Sequence, residues 1–513
     1  MKKTHFFAFT FAGLLISTAL GLSCATTPKS NPSNGRPDHL VFLVFDAMRP
    51  DYIDRFEMKN FQKLRAQSRA YTQARLGYLG AETVVTHSVL GTGLPPRDLP
   101  WQDNDYFDRD GKLGVPGKFY SLTDVGLPEF TRLQSEIPRE RFLVHALKEK
   151  FDRKVFSAGS KGYAAMIFGT PHADAIVTMK KVGERCVPAG RNVPSYISQA
   201  PRFEVDCSQA YGTESTYYPI DGAHYVPGAD AQHAGGDVWT ADVAEQIIRR
   251  EEWSGLFLTF GGIDKVAHML GEQDGKRPEP ALAVETEYDL RKVCEIADAQ
   301  LGRVLATIED AGLKDRTLVV VTADHGGQSN YHYLGVGRSA KVGRAESAAS
   351  SKWVQSYAKL PEVQYTFQDS AVRLWLKEPK ATEEYKSVVT AMSKVPGMVE
   401  VYRKHRGDPG EGGGWTYRKV FSRLRTQPKK FRRWAESNYS DMLHQYASEN
   451  GPDLVGLTAD NTGFDLLGDH GGLQENVQRV PLFIRVPGEA PSSPSTPIRS
   501  FEIKAQIVEA MGF

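Results

Sequence analysis

The 513-residue chain lacks a surplus of either charge: 63 Lys and Arg stand against 62 Asp and Glu, a formal charge of +1. A protein that tracks a polyanionic backbone carries a basic excess, so nucleic-acid binding is not expected. Internal repeats are absent, which excludes solenoids and propellers. After residue 22 no apolar run reaches about 18 residues, so nothing downstream reads as a membrane span. Cysteine is scarce, with four in all: Cys24, Cys186, Cys207 and Cys294. Cys186 and Cys207 lie in one loop-like stretch, where a bridge would stabilise the fold by about 3 kcal/mol. Cys294 falls on the apolar face of a helical segment and suits a small buried hydrophobe.

What is present begins with an address. Met1-Lys2-Lys3 is followed by an apolar run, Phe6 to Leu22, that ends at Gly21-Leu22-Ser23-Cys24. This is the layout of an export signal, with Cys24 placed as the lipid-bearing first residue of a bacterial lipoprotein. Residues 1–23 are therefore expected to be a signal peptide and 24–37 a polar tether, with the folded body at 38–513. The expected location is the periplasm or the outer membrane, with membrane contact only through a lipid anchor at Cys24.

The body reads as alternating strands and helices. Leu40-Val-Phe-Leu-Val-Phe45 is a continuous apolar run, short enough for a parallel strand buried on both faces, and it stops at Asp46. Leu256–Phe260 repeats the design before Gly261-Gly-Ile-Asp264, and Thr317–Thr322 repeats it before Ala323-Asp-His-Gly-Gly327. Between these two, Leu290, Val293, Ala297, Leu301, Val304, Leu305 and Ile308 share one helical face, with Gly312 as the stop. Strand, helix, strand is the right-handed parallel crossover, whose ligands bind beyond the carboxyl ends of the strands. The expected fold is α/β, a mostly parallel central sheet with helices on both faces, carrying cap-forming insertions at about 176–235 and 330–455. Ala371–Leu376 is a further strand with no Asp or His at its end, expected to serve architecture and not the site. Residues 383–398 read as helix, and the run from Arg418 to Arg433 reads as a solvated basic face.

Asp46, Asp264, His268, Asp324, His325 and His470 are oxygen and imidazole donors of the kind that hold zinc. Six such groups are too many for one open catalytic zinc and suit two ions, the device that clamps attacking and leaving oxygens of an in-line displacement. Thr83 stands at the expected start of a helix. Local sequence alone makes it an N-cap as readily as a nucleophile.

These segments resemble the alkaline phosphatase superfamily, in particular its type I phosphodiesterase/nucleotide pyrophosphatase group and the bacterial alkaline phosphatases that use threonine. The resemblance rests on Asp46 in Val44-Phe-Asp-Ala-Met-Arg-Pro-Asp51, on Thr83 with His87 and Gly93, and on Asn104-Asp-Tyr-Phe-Asp-Arg109. It continues through Asp264, His268 and Gly271, then Asp324-His325-Gly326, then Gly468-Asp-His470-Gly471. It implies an exported phosphoric-ester hydrolase acting on small substrates through a phospho-threonine at Thr83, with Asn104 donating to a phosphoryl oxygen. It implies two divalent ions, zinc by donor type, one held by Asp46, Asp324 and His325 with the Thr83 oxygen. The other would be held by Asp264, His268 and His470.

One element departs from the pattern. The threonine phosphatases that cleave monoesters carry Ser-Lys-x-Arg, whereas this chain has Ser160-Lys161-Gly162-Tyr163. Lys161 is retained, so a catalytic role for it is implied, but the second cation is replaced by Tyr163. That weakens the case for a monoester dianion and leaves monoester against diester preference open. Cys186-Val-Pro-Ala-Gly-Arg191 places its Arg one residue late for a sulfatase signature. The alternatives are a lipid-anchored binding protein with an inactive site, and a phosphonate or sulfate-ester hydrolase of the same superfamily.

Overall fold

The central sheet follows from strands that are apolar at every position. Its first strand, β1 (His39–Phe45), is buried throughout, as a strand covered on both faces must be. The computed structural model describes residues 35–183, 185–206, 217–219, 225–227, 234–268, 280–330, 332–333, 352–378, 384–407, 414–464 and 468–513. The expected signal peptide, Cys24, nearly all of the tether, Cys207 and Gly271 lie outside the described residues, as do parts of both expected insertions; of the first, residues 176–182, 185–191 and 205–206 are strands of the central sheet rather than a cap.

Among the described residues the main sheet has eight further strands: β2 (Arg69–Ala70), β3 (Lys154–Gly159), β4 (Ala175–Val182), β5 (Arg185–Arg191), β6 (Val205–Asp206), β7 (Trp253–Phe260), β8 (Thr317–Thr322) and β9 (Leu482–Arg485). Their order is β2-β9-β8-β1-β7-β3-β4-β5-β6. The run β8-β1-β7-β3-β4 is parallel, and both flanks are antiparallel. Helices α1 (Thr83–Thr92) and α2 (Gly162–Gly169) pack with the C-terminal helix Ile503–Met511 on one face. On the other face lie α3 (Ala234–Arg250) and α4 (Pro280–Asp310). The apolar stripe expected between residues 290 and 308 is the buried side of α4, with Cys294 buried and free within it. Gly312 follows with φ +70°.

Register decides where the site forms. Val44 lies level with Thr259 on one side and Thr322 on the other, and Thr259 lies level with Gly159. Four parallel strands therefore end flush, and Asp46, Gly261–Asp264, Asp324 and Lys161 leave the sheet at one edge.

Much of the second expected insertion folds as an antiparallel five-stranded sheet. Its order is Val363–Gln368, Ala371–Leu376, Leu454–Thr458, Met398–Arg406, Trp415–Ser422. Val372 and Leu374 join one core with Tyr357 and Met392, while Ala371 on the opposite face joins another with Leu79, Tyr446 and Leu473. The helix expected over 383–398 spans Glu384–Ser393 and gives way to a strand at Met398. The cause is local: Pro396 disfavours helix in the residue before it, and Gly397 turns the chain at φ +74°. The basic run from Arg418 to Arg433, whose composition suits a solvated helix face, instead crosses a strand, a 3-10 turn and the start of the helix Lys429–His444. Cys186 sits on β5, near the far flank of the sheet, and is held in a disulfide.

Candidate active site

The residues at the flush strand ends converge. Asp46, Asp324 and His325 each offer a donor atom within 4.8 Å of the others; the same holds for Asp264, His325 and His470, and for His268, Asp469 and His470. The Nε2 atoms of His268 and His470 lie 3.2 and 3.7 Å from one carboxylate oxygen of Asp264. That of His325 lies 3.3 Å from Asp46. The rings of His325 and His470 stack at 3.7 Å, which brings the two donor groups side by side. All six sequence-derived donors are buried.

The three imidazoles are oriented by backbone carbonyls. Nδ1 lies 2.9 Å from the carbonyl of Gly468 in His268, of Gly326 in His325 and of Ala81 in His470. A carbonyl can only accept, so each Nδ1 carries the proton and each Nε2 presents a lone pair. This is the arrangement that orients a metal-ligating histidine. The carboxylates are fixed on one side as well. Asp324 Oδ1 accepts from the His325 N–H at 3.0 Å, and Asp469 Oδ1 accepts from the His470 N–H at 2.9 Å. Asp46 Oδ1, Asp264 Oδ1, Asp324 Oδ2 and His325 Nε2 are buried and make no hydrogen bond. Buried acceptors left without a donor are costly, and cations are what this donor set fits. Burial, with Asp264 and Asp324 close by, pushes the Asp46 carboxyl well above the usual carboxylate range.

Thr83 is the first residue of α1 and is buried with the whole of that helix. Glu82 before it is extended, at φ −136°. The N–H of Val84 donates to Asn104 Oδ1 at 2.9 Å, which sets the Asn104 amide beside the start of α1. The N-terminus of this ten-residue helix favours negative charge through its free N–H groups and dipole. Lys161 is only 6 % exposed. Its ammonium donates to Asp46, to Asp264 Oδ2 at 2.9 Å and to Thr83 Oγ1 at 3.1 Å. The Tyr163 ring centre is 5.4 Å from that ammonium. Burial pushes its phenol up to about 12, so the group beside the ammonium is a neutral hydroxyl. His87 Nδ1 donates to the Thr83 carbonyl at 2.8 Å, and its Nε2 faces Thr259 Oγ1 at 2.9 Å.

Two residues escaped the sequence reading. Asp469 stands in the second Asp-His-Gly-Gly, and its parallel with Asp324 was the available signal. Arg373 lies on the strand expected to serve architecture, and its fully buried guanidinium reaches Glu82, Asp103 and Gly471 behind the site. The signal was an arginine inside an otherwise apolar strand, a position charge occupies only with partners.

Solved structures share this architecture. The alkaline phosphatase PafA aligns with a TM-score of 0.60 at 14% identity, over 93% of this chain and 96% of its own. Murine ectonucleotide pyrophosphatase/phosphodiesterase 5 in complex with AMP gives 0.52 at 14% identity, over 93% and 95%. Phosphonoacetate hydrolase from Sinorhizobium meliloti in complex with phosphonoformate gives 0.51 at 15% identity, over 93% and 96%. No curated protein matches the sequence. The family described as type I phosphodiesterase/nucleotide pyrophosphatase matches residues 40–447, which reaches from β1 to just short of the His470 segment. With most of its length in that match, and on an alkaline phosphatase-like fold, the chain belongs to the type I phosphodiesterase/nucleotide pyrophosphatase family and is a phosphoric-ester hydrolase.

Proposed function

We propose that the protein is an exported phosphodiesterase that works through a phospho-threonine at Thr83 beside two divalent ions. The observation that carries this reading is the Thr83 hydroxyl at the N-terminus of α1, 3.1 Å from the Lys161 ammonium and beside the converging donors. Asp46, Asp324 and His325, with the Thr83 oxygen, would hold one ion; Asp264, His268 and His470 would hold the other, with Asp469 in reach. Zinc suits these oxygen and imidazole donors. When bound, such a pair lowers the pKa of a hydroxyl and neutralises charge on attacking and leaving oxygens.

The chain's own residues do the rest. Thr83 Oγ1 gives up its proton and attacks phosphorus, one P–O bond forms, the bond to the leaving oxygen breaks in line, and the departing alkoxide or phenoxide takes up a proton from solvent. Water then cleaves the phospho-threonine and restores the hydroxyl. The Lys161 hydrogen bond favours the ionised Thr83 oxygen, and the Asn104 amide, its oxygen already engaged by Val84, donates to a phosphoryl oxygen as charge gathers there. A diester monoanion is the better charge match. Lys161 is already paired with Asp46 and Asp264, and Tyr163 adds no second cation. Export follows from the signal-like residues 1–23, with Cys24 as the lipid site.

Thr83→Ala should abolish turnover of bis-p-nitrophenyl phosphate while the cooperative unfolding transition stays in place. Full activity in the folded variant would refute the nucleophile. Faster wild-type hydrolysis of p-nitrophenyl phosphate than of its bis ester would refute the diester preference, and turnover of phosphonoacetate alone would move the substrate class to phosphonates.

A further inference from the structure

The guanidinium of Arg373 sits at the meeting point of three chain segments, each one residue away from a group assigned to the chemistry. Nη2 donates to the carbonyl of Gly471 at 2.6 Å, directly after His470. It also lies 3.3 Å from Glu82, directly before Thr83. Nε lies 2.9 Å from Asp103, directly before Asn104; this contact and the one to Glu82 are ionic, since Arg373 Nε, Asp103 Oδ1 and Glu82 Oε1 make no hydrogen bond. Nη1 donates to Asp369 at 2.8 Å, on the turn that leads into Arg373's own strand. The segments are tied to one another as well, since Glu82 accepts the Asn104 backbone N–H at 2.5 Å and Tyr446 donates to Asp103. All of these side chains are buried.

We infer that Arg373 is a positioning residue for the reaction: one planar cation fixes the backbone on which the nucleophile, the phosphoryl donor and a metal-ligating histidine are mounted. The planar guanidinium gives directed hydrogen bonds to Gly471 and Asp369 while its charge holds Glu82 and Asp103 at contact distance, a combination a compact ammonium does not reproduce. Buried carboxylates around it require a charge of this kind, and removing it would leave Glu82, Asp103 and Asp369 mutually repelling. The inference also gives the five-stranded sheet a role. The alternation that sends Val372 and Leu374 into one core places Arg373 on the Ala371 face, against Leu79 and Tyr446. The second sheet thereby reaches the backbone behind the site through Arg373, as it reaches Asp105, next to Asn104, through the Tyr365 hydroxyl at 2.8 Å, and displacing Arg373 would move Thr83, Asn104 and His470 together.

This inference rests on the phosphoryl-transfer reading of the site, and wild-type turnover of bis-p-nitrophenyl phosphate with zinc tests that reading separately. Arg373→Lys keeps the charge and loses the fork. It should fold cooperatively, lose about 10²-fold in kcat with KM changed less than about threefold, and bind zinc alone, read by calorimetry, about tenfold more weakly. Combined with Asn104→Ala, its loss should be smaller than the product of the single losses, because it acts through Asn104. A folded Arg373→Lys with wild-type kcat and zinc affinity, or losses that multiply, would overturn the proposal. Should that variant fail to fold, Asp103→Asn, which alters a contact of Arg373 and no metal donor, should also weaken binding of zinc alone by about tenfold, and unchanged zinc affinity with wild-type kcat would overturn the proposal.

Discussion

At the residue scale the site is built by assigning every polar atom a direction. The carbonyls of Gly468, Gly326 and Ala81 take the Nδ1 protons of three histidines. What remains facing inward is a set of lone pairs and anionic oxygens. Lys161 is the cation that answers them in the chain itself. Its contact with Thr83 predicts that Lys161→Ala lowers kcat on diesters by about 10²-fold, the scale of one lost charge-stabilising donor; an unchanged kcat would remove Lys161 from the mechanism. Asp237 works at one remove. It accepts the Gly262 N–H at 3.1 Å at the start of the helix that carries Asp264 and His268, and its Oδ2 is buried without a partner. Burial pushes its carboxyl up to about 8, against about 4 in an unfolded chain. Between those values the folded state binds more protons than the unfolded state, so stability falls as pH rises from 4 towards 8. Asp237→Asn keeps the acceptor and removes the titration. Its Tm advantage over the wild type should widen from pH 5 to pH 8, and a constant difference would count against the shift.

At the scale of elements, the glycines after Asp-His matter for space. A Cβ on Gly326 would fall 2.1 Å from the carbonyl oxygen of Asn476, and one on Gly471, at φ +89°, would fall 1.6 Å from Asp369. Neither loop can accept a side chain and keep its histidine in place. Gly326→Ala should cost about 2 kcal/mol or more in urea unfolding and weaken zinc binding together with it. Wild-type values of both would show that the loop relaxes freely. The strands follow a simpler rule. Their apolar runs are readable because burial on both faces leaves no polar position, whereas the second sheet alternates between two cores and hides an arginine in one of them.

For the whole molecule, the described helices include none long and apolar enough to cross a membrane, and the family match runs from the first strand to residue 447. If two ions bind only the folded chain, zinc must stabilise it, by about 2.7 kcal/mol for each ion at a free concentration a hundredfold above its Kd. A thermal melt with zinc and with chelator reads this directly, and coincident transitions would exclude metal binding by the native state. Asp46→Asn should reduce the shift.

Three strands of the parallel sheet, the Asp and His at their ends, the Thr at a helix start and the Lys-x-Tyr departure were legible in the sequence, because backbone pattern and side-chain chemistry are local properties; the order of the strands in the sheet was not. Flush registry of four strands, carbonyls that set three tautomers, and a guanidinium joining Glu82, Asp103 and Gly471 were not. Apart from the adjacent His325 and Gly326, whose bond depends on the turn the loop adopts, those are pairings between residues tens to hundreds of positions apart, and only packing decides which distant atoms share a few ångströms.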